Sequence, residues 1–200
     1  ADRMRRLTRI AGLGNPGADY SVTRHNAGFI LADALADSWD LELRLMGLRA
    51  QAAKGTVHGR ELILVKPLTF MNRSGEVVRE IAVLDDFDLG SDLLIVVDDA
   101  ALPTGMFRMR ARGSAGGHNG LDSIDRALGT SDYARLRIGV GPVPEDVDDI
   151  ADWVLGRFTE KEIEVLGEVI PTMVEAVSCW ITDGIETTMN RYNRRVMESE

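Results

Sequence analysis

Short apolar runs alternate with helical stripes along most of the chain. Residues 93–97 are continuously leucine, isoleucine and valine, which predicts a central strand buried on both faces. Residues 7–13 predict a second buried strand, and the apolar spacing of 26–39 predicts a helix. Further strands are predicted at 50–57, 61–65, 106–112 and 134–140, and further helices at 74–86, 121–128, 159–182 and 185–193.

Strands and helices that alternate in this order predict an α/β fold. We expect a single domain over residues 1–200, built as a three-layer sandwich. Its central sheet is expected to be mixed, mostly parallel and flanked by helices, with C-terminal helices following. Ser74 is the expected N-cap of one helix, and Thr159 with Glu162 forms an expected capping box. The acidic residues of 145–152 predict a solvated surface segment.

The composition limits the kind of protein. The 200 residues carry a net charge of −9, which excludes a general basic coat for nucleic acid but allows a local basic patch. One cysteine, Cys179, excludes a disulfide framework within the chain. The chain begins without an apolar leader pattern and has no continuous apolar run of membrane-spanning length. We therefore expect a soluble, cytoplasmic protein that has no membrane partner. We also expect a monomer, although the composition does not bear on the oligomeric state.

The polar stretch 12–29 begins at the end of the strand predicted at 7–13. Its residues 12–17 match the pattern G-x-G-x-x-G of dinucleotide-binding folds. In those folds the helix begins at the loop itself, whereas here several polar residues come first, so a nicotinamide or flavin role is disfavoured. Asn15, Tyr20 and His25 instead predict the wall of a cleft, because unpaired polar groups are costly to bury.

His25 is either a polar group at a helix start or a general base. Asp98 follows the predicted central strand, where open α/β sheets place functional groups, and it is either the partner of His25 or a turn residue. A neutral histidine can activate water at pH 7, and a carboxylate at its other nitrogen fixes its tautomer. Metal-ligand spacings and a nucleophile elbow are missing from the sequence. We expect water activation without a metal or cofactor.

A glycine-rich loop at 113–120 precedes a predicted helix. Its backbone N–H groups suit an oxyanion or a phosphate, or the loop is simply flexible. His118 in this loop either contacts substrate or packs. Two neighbouring segments carry arginines that form either a phosphate-binding face or a solvated edge; these are Arg108, Arg110, Arg112, Arg135 and Arg137.

Several motifs together resemble the bacterial peptidyl-tRNA hydrolase family over almost the whole chain. The matching pieces are GLGNPGADYSVTRHNAGF at 12–29, KPLTFMNRSG at 66–75, VDD at 97–99, GSAGGHNGL at 113–121, RLRIGVG at 135–141 and WITDG at 180–184, with Asn190-Arg191. The resemblance implies an enzyme that cleaves the ester between a peptide and the 3′ ribose of tRNA and thereby recycles tRNA. Peptidyl-tRNA is then the partner, and no cofactor is implied.

The resemblance also implies roles for individual residues. His25 is the general base, Asp98 holds it in its basic form, and Asn15 distinguishes N-blocked peptidyl-tRNA from aminoacyl-tRNA. The residues expected to bind substrate are Tyr20, Phe70, Met71, Asn72, Gly116, His118 and Asn119. Arg110 and Arg137 are expected to contact tRNA phosphate.

Two positions depart from the family pattern. Ala101 replaces a common aspartate after Asp98, which argues against a second acid there. Arg110 stands where lysine is frequent, and arginine can bind phosphate with two hydrogen bonds. A non-catalytic RNA-binding relative with the same fold is the alternative. His25, Asp98 and the asparagines, all present together, favour the enzyme.

Overall fold

The computed structural model describes residues 6–84 and 87–193, and within them seven strands form one sheet. The strands are β1 (Thr8–Gly12), β2 (Arg44–Met46), β3 (Ala50–Val57), β4 (Arg60–Pro67), β5 (Leu93–Pro103), β6 (Phe107–Arg110) and β7 (Ala134–Gly141). The helices are α1 (Ala27–Ser38), α2 (Ser74–Ala82), α3 (Leu89–Asp92), α4 (Asn119–Leu128), α5 (Ile150–Val154), α6 (Glu160–Asp183) and α7 (Ile185–Thr188). A π-helical turn, Met189–Asn193, continues α7.

The sheet has the order β2-β3-β4-β1-β5-β7-β6, and its centre is parallel. Strands β4, β1, β5 and β7 run parallel, whereas β2, β3 and β6 join the sheet antiparallel. The prediction of a mixed sheet is confirmed, with the parallel pairings confined to its centre. The predicted hairpin is β3–β4, and its turn residues His58 and Gly59 both have positive φ, as a tight two-residue turn requires.

Helices cover both faces of the sheet, which confirms the three-layer sandwich. On one face α1 and α6 pack on the strands through apolar side chains such as Leu31, Leu35 and Val177. On the other face α2 and α4 bury Val78, Leu121 and Ile124 against the strands. Burial of this apolar surface is the main force that holds the layers together.

Among the described residues, α6 is the one helix that is long and apolar enough to cross a membrane. It is a core helix, because Met173, Val177 and Trp180 on its inner face are at most 2% exposed. Its predicted start is confirmed: Thr159 Oγ1 accepts from Glu162 N–H at 3.1 Å, and the Glu162 carboxylate accepts from Thr159 N–H at 2.8 Å.

Two predicted helix boundaries are corrected. Ser74 is the first residue of α2 and not its N-cap, because its hydroxyl donates to the Met71 carbonyl at 2.8 Å and closes the preceding turn. The predicted end of this helix at 86 falls outside the described residues, and α2 itself ends at Ala82. Helix α4 begins at Asn119, two residues earlier than predicted, because the His118 side chain caps it.

The edge strand β6 is covered by a side chain from the C-terminal turn. The Asn193 amide accepts from Met109 N–H at 3.0 Å and donates to the Met109 carbonyl at 2.9 Å. One asparagine therefore satisfies the groups that a neighbouring strand would otherwise use, which protects an edge from pairing with another chain. The predicted strand 106–112 is shortened to Phe107–Arg110.

Candidate active site

Asp98 lies where the central sheet opens. The β1–β5 pairing ends at Gly12 opposite Val96, so β5 continues beyond the end of its neighbour. The gap is occupied by the 3₁₀ turn Arg24–Asn26, which carries His25 into the sequence-predicted position beside Asp98. The Nδ1 atom of His25 lies 2.8 Å from Oδ2 of Asp98, and both residues are buried.

The other oxygen of the same carboxylate binds a second histidine. Nε2 of His118 lies 2.8 Å from Oδ1 of Asp98. Its Nδ1 accepts from the N–H groups of Gly120 and Leu121 at 3.1 and 3.2 Å. A ring nitrogen that accepts carries no proton, so this pattern assigns the proton of His118 to Nε2, which donates to Asp98. The sequence left the role of His118 open between substrate contact and packing; in the structure it links Asp98 to the start of α4.

Asp98 is held as a carboxylate. Burial raises the pKa of this carboxyl, but His118 foremost, together with His25, outweighs burial and leaves its pKa well below the ordinary value. Because an ionised carboxylate can only accept, Nδ1–H of His25 is the donor to Oδ2. The lone pair of His25 Nε2 then remains available, and this atom has no hydrogen-bond partner among the residues described.

A cavity of about 650 Å³ surrounds His25 and Asp98. It collects nearly all the residues that the sequence predicted for the site, namely Asn15, Tyr20, Phe70, Met71, Asn72, Gly116, His118, Asn119 and Arg137. Arg110 is the exception, since it is an exposed residue of the edge strand β6 and lies outside the cavity. The mixture of apolar walls and a few placed polar groups is typical of small-molecule and substrate sites.

Asn15 is oriented by two neighbours. The side-chain amide of Asn26 accepts from Asn15 N–H at 2.8 Å and donates to the Asn15 carbonyl at 2.9 Å. The Asn15 side-chain oxygen accepts from Met71 N–H at 2.7 Å. The NH₂ group of Asn15 therefore points away from Met71 and can donate a hydrogen bond into the cavity. The sequence predicts no role for Asn26, and its place in the polar stretch is the signal that points to it.

Two glycines of the 12–17 loop, Gly12 and Gly14, serve packing, whereas Gly17 has a positive φ and open space at the Cβ position. A Cβ on Gly12 would lie 2.4 Å from the Gly28 carbonyl oxygen, and one on Gly14 would lie 2.6 Å from the Phe29 ring. Both glycines let β1 approach α1 closely. The turns Ala18–Tyr20 and Arg24–Asn26 separate the loop from α1, so that helix does not aim its N-terminus at the loop. The geometry supports the rejection of dinucleotide binding.

The N-terminus of α4 is less open to an anion than the glycine loop predicts. The N–H groups of Gly120 and Leu121 already donate to His118, so two of the first free donors of the helix are occupied. The residues of this loop that line the cavity are Ala115, Gly116, Gly117, His118 and Asn119.

The predicted arginine face loses one member. Arg135 is fully buried, donates to the carbonyls of Gly113 and Ser131, and lies over the Tyr133 ring at 4.3 Å. It supports the fold and cannot reach a phosphate. Arg137 is partly exposed and donates to the Ser114 carbonyl at 2.9 Å, while Arg110 is exposed. The other four arginines of the face all keep some exposure, and Arg110 and Arg137, the two that the resemblance assigns to tRNA, remain as candidates for phosphate contact.

Arg24 is a polar residue of the His25 stretch for which the sequence predicts no role of its own. Its guanidinium lies 3.5 Å from the ring centroid of Trp153, donates to the Trp153 carbonyl at 3.0 Å and pairs with Glu162 at 2.9 Å. It is 5% exposed and directly precedes His25. Arg24 thereby joins the turn that carries His25 to α5 and to the start of α6.

His25, Asp98 and His118 also form a possible metal-ligand group among the described residues, with ligand atoms within 4.8 Å of one another. Their hydrogen bonds argue against a metal. To bind one, Nε2 of His118 would have to lose its proton, and Nδ1 would then carry a proton that faces two backbone N–H groups. The arrangement suits a proton-transfer group better than a metal site.

The comparisons with known proteins agree with this arrangement. A family model described as peptidyl-tRNA hydrolase matches residues 9–200. A peptidyl-tRNA hydrolase of Lachnospira eligens is 47% identical over 92% of this chain and 98% of its own length. The Bacillus subtilis peptidyl-tRNA hydrolase is 43% identical over 94% of this chain and 98% of its own. The crystal structure of the Acinetobacter baumannii enzyme superimposes with a TM-score of 0.87 at 31% identity, covering 96% of this chain and 97% of that one. The chain belongs to the peptidyl-tRNA hydrolase family of carboxylic ester hydrolases.

Proposed function

We propose that this protein hydrolyses the ester between the C-terminal carbonyl of a peptide and the 3′ ribose of tRNA, and so releases tRNA for reuse in translation. The observation that carries the proposal is the buried contact of 2.8 Å between Asp98 and Nδ1 of His25. It orients the imidazole and leaves Nε2 free to act as a general base in the cavity.

The proposed hydrolysis uses one histidine, His25, first as a base and then as an acid. Nε2 of His25 takes a proton from water while the water oxygen attacks the ester carbonyl. The tetrahedral intermediate then collapses, the bond to the ribose oxygen breaks, and the same proton passes from His25 to that oxygen. Asp98 stabilises the imidazolium that exists between the two transfers. An ester is reactive enough for this pair without a metal or a covalent intermediate.

Amide side chains position the substrate. Each asparagine offers both a donor and an acceptor, which suits a peptide backbone. Asn15, Asn72 and Asn119 are proposed to bind the peptide or the attacking water, and Tyr20, Phe70 and Met71 to line the path of the peptide and terminal nucleotide. The rings of Tyr20 and Phe70 support this, because they lie edge to face at the cavity with their centroids 6.2 Å apart. Arg110 and Arg137 are proposed to bind tRNA phosphate, and the chain is proposed to act as a monomer.

The test is hydrolysis of an N-acetyl-aminoacyl-tRNA by the purified protein with and without a chelator. Release of free tRNA at equal rates in both samples is the expected result. A protein that binds the N-acetyl-aminoacyl-tRNA without hydrolysing its ester would instead be a non-catalytic RNA-binding relative. A rate that falls with the chelator and returns with added metal would contradict the mechanism.

A further inference from the structure

The 3₁₀ turn that carries His25 is anchored in three directions. Such a turn has three residues, so its successive side chains point about 120° apart. The side chain of His25 reaches Asp98, and the side-chain amide of Asn26 bonds to both the N–H and the carbonyl of Asn15. The third side chain, that of Arg24, leaves the turn on the side of α5 and α6. A turn held on three sides cannot rotate about its own axis, so each anchor helps to fix the direction of the His25 lone pair.

The guanidinium of Arg24 lies between α5 and the start of α6. Its Nη1 donates to the Trp153 carbonyl at 3.0 Å, and the group stacks on the Trp153 ring. Its Nη2 and Nε donate to the two carboxylate oxygens of Glu162 at 2.9 and 3.4 Å. Trp153 is fixed in turn, because its indole N–H donates to the Val140 carbonyl on β7 at 2.9 Å. Arg24 therefore connects the turn to both helices and, through Trp153, to the sheet.

The segment 156–158, which links α5 to α6, pairs with the backbone next to His25. Arg24 N–H donates to the Gly156 carbonyl at 3.0 Å, and Phe158 N–H donates to the Val22 carbonyl at 2.9 Å. Gly156 also leaves space for the guanidinium, since a Cβ there would lie 2.8 Å from Arg24 Nη1. Backbone bonds thus join the turn to this short segment, and the Arg24 side chain joins both to the helices on either side.

Glu162 makes two different contacts at the start of α6. Its Oε1 accepts from Thr159 N–H at 2.8 Å, which closes the capping box, and the same oxygen accepts from Arg24 Nη2. The side chain of Glu162 is 18% exposed and that of Arg24 is 6% exposed. A buried cation is costly unless it is paired, so loss of this carboxylate would leave Arg24 without its counter-ion. A capping box accepts glutamine in place of glutamate, so the second carboxylate oxygen is the part that the cap does not use.

We infer that Glu162 is a positioning residue for His25, which acts through Arg24 and does not line the cavity. The inference rests on the proposed function, in which Nε2 of His25 takes the proton from water. A base must point its lone pair at the reacting proton within narrow limits of distance and angle. Asp98 fixes the imidazole itself, and the pair of Arg24 and Glu162 fixes the backbone from which the ring extends.

The first test compares two variants at the start of α6. Glu162→Gln keeps an oxygen for the capping box but puts an NH₂ group opposite Arg24 Nε. The kcat for N-acetyl-aminoacyl-tRNA should therefore fall about tenfold at unchanged KM. Thr159→Ala removes the side-chain cap and keeps the ion pair, so it should lower the melting temperature and leave kcat unchanged. Wild-type kcat in Glu162→Gln would overturn the inference.

A double variant tests whether the two residues act as one connection. Glu162→Gln combined with Arg24→Lys should lower kcat little more than the more damaging single variant does, because each change breaks the same connection. Losses that multiply in the double variant would show that the two residues act separately, which would also overturn the inference.

A second pair of variants changes only the space beside the guanidinium. Gly156→Ala should push Arg24 Nη1 away from the Trp153 carbonyl and lower kcat several-fold, although no hydrogen-bonding group is removed. Gly167→Ala on α6 is the matched control, since a Cβ there meets nothing within 4 Å, and its kcat should equal that of the wild type. Equal kcat in these two variants would contradict the role of Arg24.

The orientation of the imidazole can be followed by NMR of protein labelled with ¹⁵N-histidine. The Nδ1–H proton that His25 donates to Asp98 should shift or broaden in the first variant of each pair and stay unchanged in its control. Identical spectra in all four variants would overturn the positioning role. If the wild-type protein hydrolyses no ester, the proposed function fails, and these spectra still decide whether Glu162 holds His25 in place.

Discussion

His118 donates from Nε2 to Asp98 at 2.8 Å while its Nδ1 caps helix α4, so one side chain couples the carboxylate to the helix. Two different replacements of His118 separate its effect on the stability of α4 from its effect on Asp98. His118→Ala should lower the free energy of unfolding by about 1 kcal/mol through the lost cap and should also lower kcat. His118→Asn supplies a side-chain oxygen for the cap but is too short to hold Asp98, so it should regain stability without regaining kcat. Equal recovery of both quantities would contradict a positioning role.

His25→Ala should remove most of the turnover, because it removes the only base proposed for the water. A loss of about 10²- to 10⁴-fold in kcat is expected from a general base, with little change in the Kd for tRNA. The control is His58→Ala, since His58 lies in the β3–β4 turn outside the cavity. Near-normal turnover by the His25 variant would rule out the mechanism.

Asp98→Asn should change how stability depends on pH. The pKa of Asp98 in the folded protein lies below its ordinary value of 3.8. Burial raises this pKa, but His118 and His25 lower it by more. Its contribution to the free energy of unfolding is therefore fully present above about pH 4 and is lost as the pH falls below that value. Urea unfolding should show a smaller difference between wild type and variant at pH 3 than at pH 5. The exposed Asp122→Asn change should shift the free energy by less than about 1 kcal/mol at both pH values.

Arg110→Glu with Arg137→Glu should weaken tRNA substrates and spare a short ester that lacks the tRNA body. The two residues are proposed to meet phosphate, so KM should rise and each lost contact should flatten the log–log salt slope by roughly 0.7–0.9. Arg44→Glu is the control, because Arg44 is an exposed arginine on β2 at the opposite edge of the sheet. Equal damage to the short ester would show that these arginines support the site or the fold instead.

Arg24→Lys should lower both stability and kcat. Lysine keeps the charge but loses the planar group that stacks on Trp153 and bonds to the Trp153 carbonyl. A loss of about 1–3 kcal/mol in the free energy of unfolding is expected for a mostly buried group. Arg126→Lys, which alters an exposed pair with Asp122, should stay within about 0.5 kcal/mol. An unchanged kcat in the Arg24 variant would show that the turn of His25 is held by other contacts.

Local pattern explains the parts of the fold that could be predicted. The run 93–97 and the hairpin residues His58 and Gly59 carry their signals within a few positions, and both lie where expected. Strand β2 consists of three exposed residues, and helix α5 is only five residues long. Neither element therefore carries a periodic pattern long enough to detect. The order of strands in the sheet depends on contacts between distant segments and could not be derived from the pattern.

The sequence by itself determined the α/β fold, the family and most of the predicted residues that line the cavity, because glycines, asparagines and His25 occur in long motifs. Only the tertiary structure decided which groups bond to one another. His25 and Asp98 are 73 positions apart, and Arg24 and Glu162 are 138 apart. An arginine looks the same in sequence whether it is exposed like Arg110 or buried like Arg135. Burial and hydrogen-bond partners arise when distant segments pack, and those contacts set the role of each side chain.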